Sequence, residues 1–262
     1  MLLENKVVVV TGGSAGLGEQ ICYEAAKRGA IVVICARRSQ LINKVKEECM
    51  ALSGKPAYAF QLDIADPESV ENLVASIRQK VGIVDILVNN AGFGVFQEFT
   101  QMPTETIRSM FEVNVLGMMV LTQQIALEMV DQGSGHIINV ASMAGKIATP
   151  KTAVYSATKF AVLGFSNALR LELKPLGIHV TTVNPGPIET AFFDQADPSG
   201  SYLASLGTFV LDPTKLAKTI VKAMIRPKRE INRPQVMGIA AKFYTLFPNV
   251  GDYLAGSLFN KK

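Results

Sequence analysis

The chain has 262 residues, 48% hydrophobic and 18% charged, with a formal net charge of +4; this suits one α/β domain with a large core, and no linker, repeat or low-complexity stretch divides it. Three cysteines (Cys22, Cys35, Cys49) and two histidines (His136, His179) lack metal-ligand spacing and form no disulfide framework, so reduced thiols in the cytosol and no metal are expected. Residues 226–262 hold seven basic and two acidic side chains, a net +5, which leaves the preceding 225 residues at about −1 and excludes a nucleic-acid-binding body.

Ahead of the first strand, residues 1–6 are too short and too charged for a signal peptide, and no uninterrupted apolar run reaches the ~18 residues of a membrane span. Apolar, β-branched runs then alternate with longer amphipathic stretches. They predict strands at 7–10, 31–35, 57–62, 84–88, 136–140 and 179–183, and helices at 17–28, 39–52, 67–81, 104–130 and 152–173. Such alternation implies an α/β fold with a doubly wound parallel sheet and helices on both faces. The domain is expected over residues 1–230, with a C-terminal helical extension at 231–262. In this architecture ligands bind beyond the carboxyl ends of the strands.

The motifs fall at those ends. After the first strand, Gly12, Gly16 and Gly18, with Ser14, Ala15 and Leu17 between them, suit a tight turn whose helix N-terminus faces a pyrophosphate. The second strand ends at Ala36, Arg37 and Arg38. An acid for a ribose 2′-hydroxyl is missing there, and two guanidinium groups suit a 2′-phosphate, so NADP(H) is the expected cofactor. Asp63 and Ile64 after the third strand are expected at the adenine. Asn90, Ala91 and Gly92 after the fourth suit close backbone approach. Asn114 lies in an apolar helical stretch, where a buried unpaired amide is costly and a partner is required.

Ser142 follows the fifth strand, and thirteen residues on come Tyr155 and Lys159. Residues at i and i+4 share a helix face. A tyrosine has a reference pKa of about 10, which a nearby fixed cation lowers. Such a phenol can give a proton to a carbonyl oxygen or take one from an alcohol, with a dinucleotide handling the hydride.

Beyond the sixth strand, Pro185, Gly186, Ile188 and Thr190 are followed by Phe192 and Phe193. With Phe93, Phe96 and Met143 they make the substrate side apolar, and Lys146 is the only cation near these positions in sequence. Residues 194–212, rich in Asp, Ser, Gly and Pro, read as a mobile lid. In the tail, Gly238, Lys242 and Thr245 form a narrow polar stripe on an otherwise apolar helix, and a second short apolar pattern follows at Val250, Tyr253, Leu254 and Leu258. A helix so apolar is expected to bury more than one side. The tail is therefore expected to pack on its own domain or a twin subunit as a wall of the pocket, or to dock on an anionic membrane.

Taken together, the glycine turn, Asn90-Ala-Gly92, Asn114, Ser142, Tyr155 to Lys159 and Pro185 to Thr190 resemble the classical short-chain dehydrogenase/reductase family, including bacterial orphan reductases, from about residue 6 to residue 190. The resemblance implies a Rossmann-like domain, a homo-oligomer (a dimer or tetramer) in the cytoplasm or peripheral at a membrane, and NADP(H)-dependent turnover of a small hydrophobic carbonyl or secondary alcohol. It implies Tyr155 as general acid/base, Lys159 lowering its pKa and holding the nicotinamide ribose, and Ser142 hydrogen-bonding the substrate oxygen. Asn114 would hold a water linking Lys159 to solvent, and Pro185, Gly186, Ile188 and Thr190 would flank the nicotinamide. One departure is Ala15, where many NADP-using members carry a basic residue. The alternatives are a 3-oxoacyl-carrier-protein reductase and, in another class, a non-catalytic dinucleotide sensor, which would typically lack the Tyr or Lys present here.

Overall fold

A computed structural model describes residues 3–197 and 210–258, with side chains to residue 255. Most of the expected lid, residues 198–209, lies outside the described residues. Seven parallel strands form one sheet in the order β3-β2-β1-β4-β5-β6-β7. They are β1 Val7–Thr11, β2 Ile31–Ala36, β3 Ala57–Gln61, β4 Ile86–Asn89, β5 Gly135–Val140, β6 Ile178–Pro185 and β7 Glu230–Arg233. The sheet winds outward from β1 one way to β3 and the other way through β4 to β7. The junction of β1 and β4 is thus the topological switch point, where a crevice opens at the carboxyl ends.

Strand burial explains the apolar runs. All five residues of β1 are buried, as are the four central residues of β2 and all of β4. Helices α1 (Gly16–Ala26), α2 (Ser39–Ser53) and α8 (Pro213–Ile225), the last following the short α7 (Phe192–Ala196), supply the core on one face, α1 with Ile21 and Cys22, α8 with Ile220 and Val221. Helices α3 (Pro67–Lys80), α5 (Met118–Gln132) and α6 (Ala153–Leu173) supply the other, with Val70, Leu121, Ile125 and Leu173. All three cysteines are buried, free thiols.

Besides the short helix Phe192–Ala196, helix α8 and strand β7 were not read from the sequence. Helix α8 opens on Asp212, whose carboxylate accepts from the N–H groups of Thr214 and Lys215 at 2.7 and 3.2 Å, with Pro213 in the first turn. That is an ordinary helix-start signal. Strand β7 extends the sheet through Arg233, so the C-terminal helices begin only at Gln235. The helix expected at 104–130 is also interrupted. Helix α4 (Thr104–Phe111) widens into a π-type turn at Glu112–Gly117 before α5. A Cβ on Gly117 would strike the Ile64 carbonyl oxygen, so the widened turn fits closely against the loop that follows β3. Residues Thr104–Gln132 together are long and apolar enough to cross a membrane by composition, but half of their most apolar 18-residue segment is buried in the domain, as in a core helix.

His136 illustrates what this core costs to build. It is buried in β5, with Nε2 2.8 Å from the Thr181 hydroxyl. Since that hydroxyl donates to the Lys228 carbonyl, the imidazole Nε2 must carry the hydrogen. Burial, and then the neighbouring His179, push its pKa down to about 4. Between pH 6.5 and 4 the unfolded chain therefore binds the extra proton and the folded one does not, so stability falls as pH falls through that window. Going from pH 7 to 4.5, the native protein should lose about 2–3 kcal/mol more in urea unfolding than a His136→Gln variant. Equal losses would show that this ring does not set acid stability.

Candidate active site

At the switch point, Thr11 ends β1 and its hydroxyl accepts from the N–H groups of Asn90 and Ala91, each at 3.0 Å. The Asn90 side chain donates back to the carbonyls of Thr11 and Gly12 at 3.0 and 3.3 Å. The two loops are thereby stitched together, and the fit leaves no space for a side chain between them. Gly12 has φ +66°, and a Cβ there would lie 2.9 Å from the Ala91 Cα. Helix α1 then starts after Ala15 with no side-chain cap, so its first N–H groups are left to face a ligand. Ser14, Ala15, Gly16, Leu17 and Gly18 all line the crevice.

Beside this turn, the Arg38 guanidinium donates to the Ser14 hydroxyl at 2.8 Å. Arg37 is exposed, and its carbonyl accepts from Gln61 at 3.1 Å. Both arginines border the crevice with Ala36, Asp63 and Ile64. The Asp63 carboxylate accepts from the N–H of Ala65 at 3.1 Å and so shapes its own turn. The cap of α3 is Asp66, not Asp63.

Across the crevice, Ser142 follows β5 and caps the short turn Met143–Gly145, accepting from the Ala144 N–H at 3.1 Å. Its hydrogen has only a long 3.5 Å contact to the Pro185 carbonyl, so the hydroxyl can turn toward a ligand oxygen. Tyr155 and Lys159 lie one turn apart on α6, each less than 10% exposed. The Tyr155 ring packs against Phe96 and Phe192 at centroid distances of 5.8 and 5.7 Å. The Lys159 ammonium stands 5.7 Å from the ring centroid and donates to the Val140 carbonyl at 3.0 Å. Burial pushes its pKa down to about 8.

Asn114 sits in the π-type turn behind the crevice wall. Its side-chain amide clamps Phe93, accepting from the N–H at 2.9 Å and donating to the carbonyl at 2.8 Å, and it donates its second hydrogen to Thr158 at 3.1 Å. Both amide hydrogens are engaged. The amide therefore fixes the loop after Gly92, and only acceptor atoms of this residue remain for a water.

The crevice continues into an apolar cavity, together about 710 Å³. Residues 6–199 match the family model of the short chain dehydrogenases. The chain belongs to that family. A dehydrogenase/reductase SDR family protein 7-like of Drosophila melanogaster is 34% identical over 236 residues, covering 87% of this chain and 72% of the fly protein. An uncharacterized oxidoreductase of Staphylococcus aureus strain MW2 is 32% identical over 226 residues, 86% of this chain and 94% of its own. Among solved structures, a short-chain dehydrogenase from Sphingobium yanoikuyae in complex with NADPH superposes with TM-score 0.81 at 26% identity, covering 95% of each chain. A 3-ketoacyl-(acyl-carrier-protein) reductase from Brucella melitensis complexed with NADH does so with TM-score 0.79 at 31% identity, covering 88% of this chain and 97% of that one. This short-chain dehydrogenase is thus an oxidoreductase of the NAD(P)-binding kind, and the two solved structures are complexes with NADPH and with NADH.

One contributor, Thr11, has no role assigned from the sequence, while the expected pocket wall from the tail is present. Thr11 carries the loop clamp, and its signal was only its place at the strand end. Lys146 is paired with Glu230 of β7 at 2.5 Å, so it is not free to clamp a substrate carboxylate. Burial raises the Glu230 pKa, but hydrogen bonds from Lys146, Asn232 and Asn184 outweigh that and hold it below the usual range. The far wall of the cavity comes from the C-terminal helices, through Met237, Ala240, Tyr244 and Gly251.

Proposed function

We propose that the protein is an NADP(H)-dependent reductase and dehydrogenase of apolar carbonyls and secondary alcohols, with Tyr155 as general acid/base. One observation carries the reading: a buried lysine stands behind a tyrosine ring at the junction of a glycine-turn crevice and an aromatic cavity. The bound nicotinamide supplies or accepts the hydride. Tyr155 gives its phenolic proton to the carbonyl oxygen in reduction and recovers it from the alcohol in oxidation. Ser142 steadies the same oxygen by donating its free hydrogen. Lys159, charged, favours the phenolate, and it also holds the nicotinamide ribose. A water returning protons to Lys159 is accepted through Asn114 oxygen atoms, since its amide hydrogens are engaged. Pro185, Gly186, Ile188 and Thr190 line the crevice and would hold the nicotinamide ring.

The cofactor preference rests on Ala36, Arg38 and Ser14. No acid stands at the end of β2 to hold a ribose 2′-hydroxyl, and Arg38 is already seated against Ser14, which presents two donors to a 2′-phosphate. Arg38→Ala should weaken NADPH at least tenfold, about 1.4 kcal/mol or more, while changing NADH affinity less than threefold. Arg37→Ala should do less. Equal affinity of the native protein for both cofactors would overturn the preference.

Self-association has a candidate surface on the outer sides of the π-type turn, α5 and α6, which cover one face of the sheet, where Leu116, Leu127, Phe160 and Leu171 are exposed. The substrate class is tested by following NADPH oxidation against aromatic ketones, aliphatic aldehydes and a 3-oxoacyl thioester. Turnover of the apolar ketones supports the reading. Turnover confined to the thioester would move it to acyl-chain reduction, and none with any carbonyl would favour a sensor.

A further inference from the structure

The two C-terminal helices, α9 (Gln235–Leu246) and α10 (Pro248–Leu258), are packed inside out. Among their described side chains, those buried are small: Gly238, Ala241, Gly251 and Ala255. Gly238 lies where a Cβ would come within 2.9 Å of the Asn232 Cβ on β7, and Gly251 lies flat against the Tyr244 ring. The Tyr244 hydroxyl ties the pair together by donating to Asp252 at 2.6 Å. The large apolar side chains point away. Val236, Ile239, Phe243, Leu246, Phe247, Val250, Tyr253 and Leu254 are all exposed, the last at 41% and Tyr253 at 76%. The sequence pattern placed Gly238 on an outward polar stripe, and the structure reverses it. The edge of the sheet admits only a residue without a side chain, so the bulky positions turn outward.

So dense a run of exposed apolar groups marks an interaction surface. We propose that this face is seated in a lipid surface carrying anionic headgroups, and that it passes lipophilic substrate directly from that surface into the cavity. Two observations choose lipid over a second copy of the chain. The first is continuity: Phe243 and Leu254 lie on the exposed face and also line the cavity. A protein partner covering them would cap the mouth, whereas a lipid layer would supply it. The second is charge. Among the described residues from 233 on, Arg233 and Lys242 stand against one acid, Asp252, which accepts from Tyr244; the sequence adds Lys261 and Lys262, outside the described residues. Basic side chains flanking an apolar helical face suit anionic headgroups. Arg226, Lys228 and Arg229, counted in the +5 of the tail, come before β7, at the amino end of the strand whose carboxyl end leads into α9, and are left out of this count.

The entry route rests on the catalytic reading above, but the docking does not, and the test separates them. The full-length native chain is floated with phosphatidylcholine vesicles and with vesicles containing 30% phosphatidylglycerol, at low and physiological salt. Native protein should float with the anionic vesicles at low salt and less so as salt rises. Ile239→Glu with Leu246→Glu, two exposed side chains that do not line the cavity, should abolish flotation. That double variant should leave NADPH-dependent turnover of a small water-soluble ketone within twofold of native. With a long-chain ketone delivered in vesicles it should lower kcat/KM at least tenfold. Failure of native protein to float would overturn the proposal. So would a dimer that the double variant dissociates, which would assign the face to a second copy. If flotation holds but no carbonyl is turned over, the docking stands and the catalytic reading fails.

Discussion

Tyr155→Phe should lower turnover by two to four orders of magnitude while leaving NADPH affinity within about threefold. General acid/base groups contribute on this scale, and the local packing isolates the effect. Tyr155 is 8% exposed and its ring rests between Phe96 and Phe192, with Gly94 against one edge, where a Cβ would lie 2.9 Å from the ring. Phenylalanine fills the same aromatic collar, so the fold and the crevice beside it are retained and the proton is lost. Stopped-flow or steady-state NADPH oxidation, paired with fluorescence titration of NADPH, reads both halves. Retention of more than a few per cent of activity at saturating substrate would remove Tyr155 from its role. Loss of cofactor affinity in step with activity would instead make it a packing residue.

Most of the sheet was legible because β1, β2 and β4 are buried on both faces and read as unbroken apolar runs. Strand β7 was not, because Glu230-Ile-Asn-Arg233 is a short edge strand with one buried side chain, Ile231. Its identity comes from pairing with β6, which local pattern does not encode. Helix α8 does carry its signal in the sequence, a cap at Asp212 and Pro213 and apolar Leu216, Ile220, Val221 and Met224 at helical spacing. The π-type turn around Asn114 leaves the apolar spacing intact, so no period could place it. At the site, the order of motifs located the crevice, but sequence adjacency gave Arg37 and Arg38 equal claims. Only the three-dimensional turn shows that Arg38 reaches Ser14. The tail failed on size: Gly238 was grouped with polar residues, whereas its missing side chain is what lets the helix sit on the sheet edge.

Lys159→Met should abolish turnover and at the same time stabilise the cofactor-free protein. Lys159 is 6% exposed, and burial pushes its pKa down from 10.5 to about 8. Because the folded value lies below the unfolded one, the unfolded state binds more protons between pH 8 and 10.5, and stability from this group rises with pH across that window. Below pH 8 the lysine is held charged at a cost of about 3 kcal/mol relative to its unfolded environment. Methionine removes that cost but leaves the Val140 carbonyl without its 3.0 Å donor, which returns about 1 kcal/mol. A net gain of about 2 kcal/mol at pH 7 should raise Tm by several degrees in a chain of this size. At pH 10.5 the advantage should shrink towards zero. The proton-transfer role predicts the opposite effect on activity, since no cation then favours the Tyr155 phenolate. Scanning calorimetry at pH 7 and 10.5, beside NADPH oxidation, checks both signs. A lower Tm at pH 7 would show that the ammonium is a net structural contact and not a charge kept buried for chemistry.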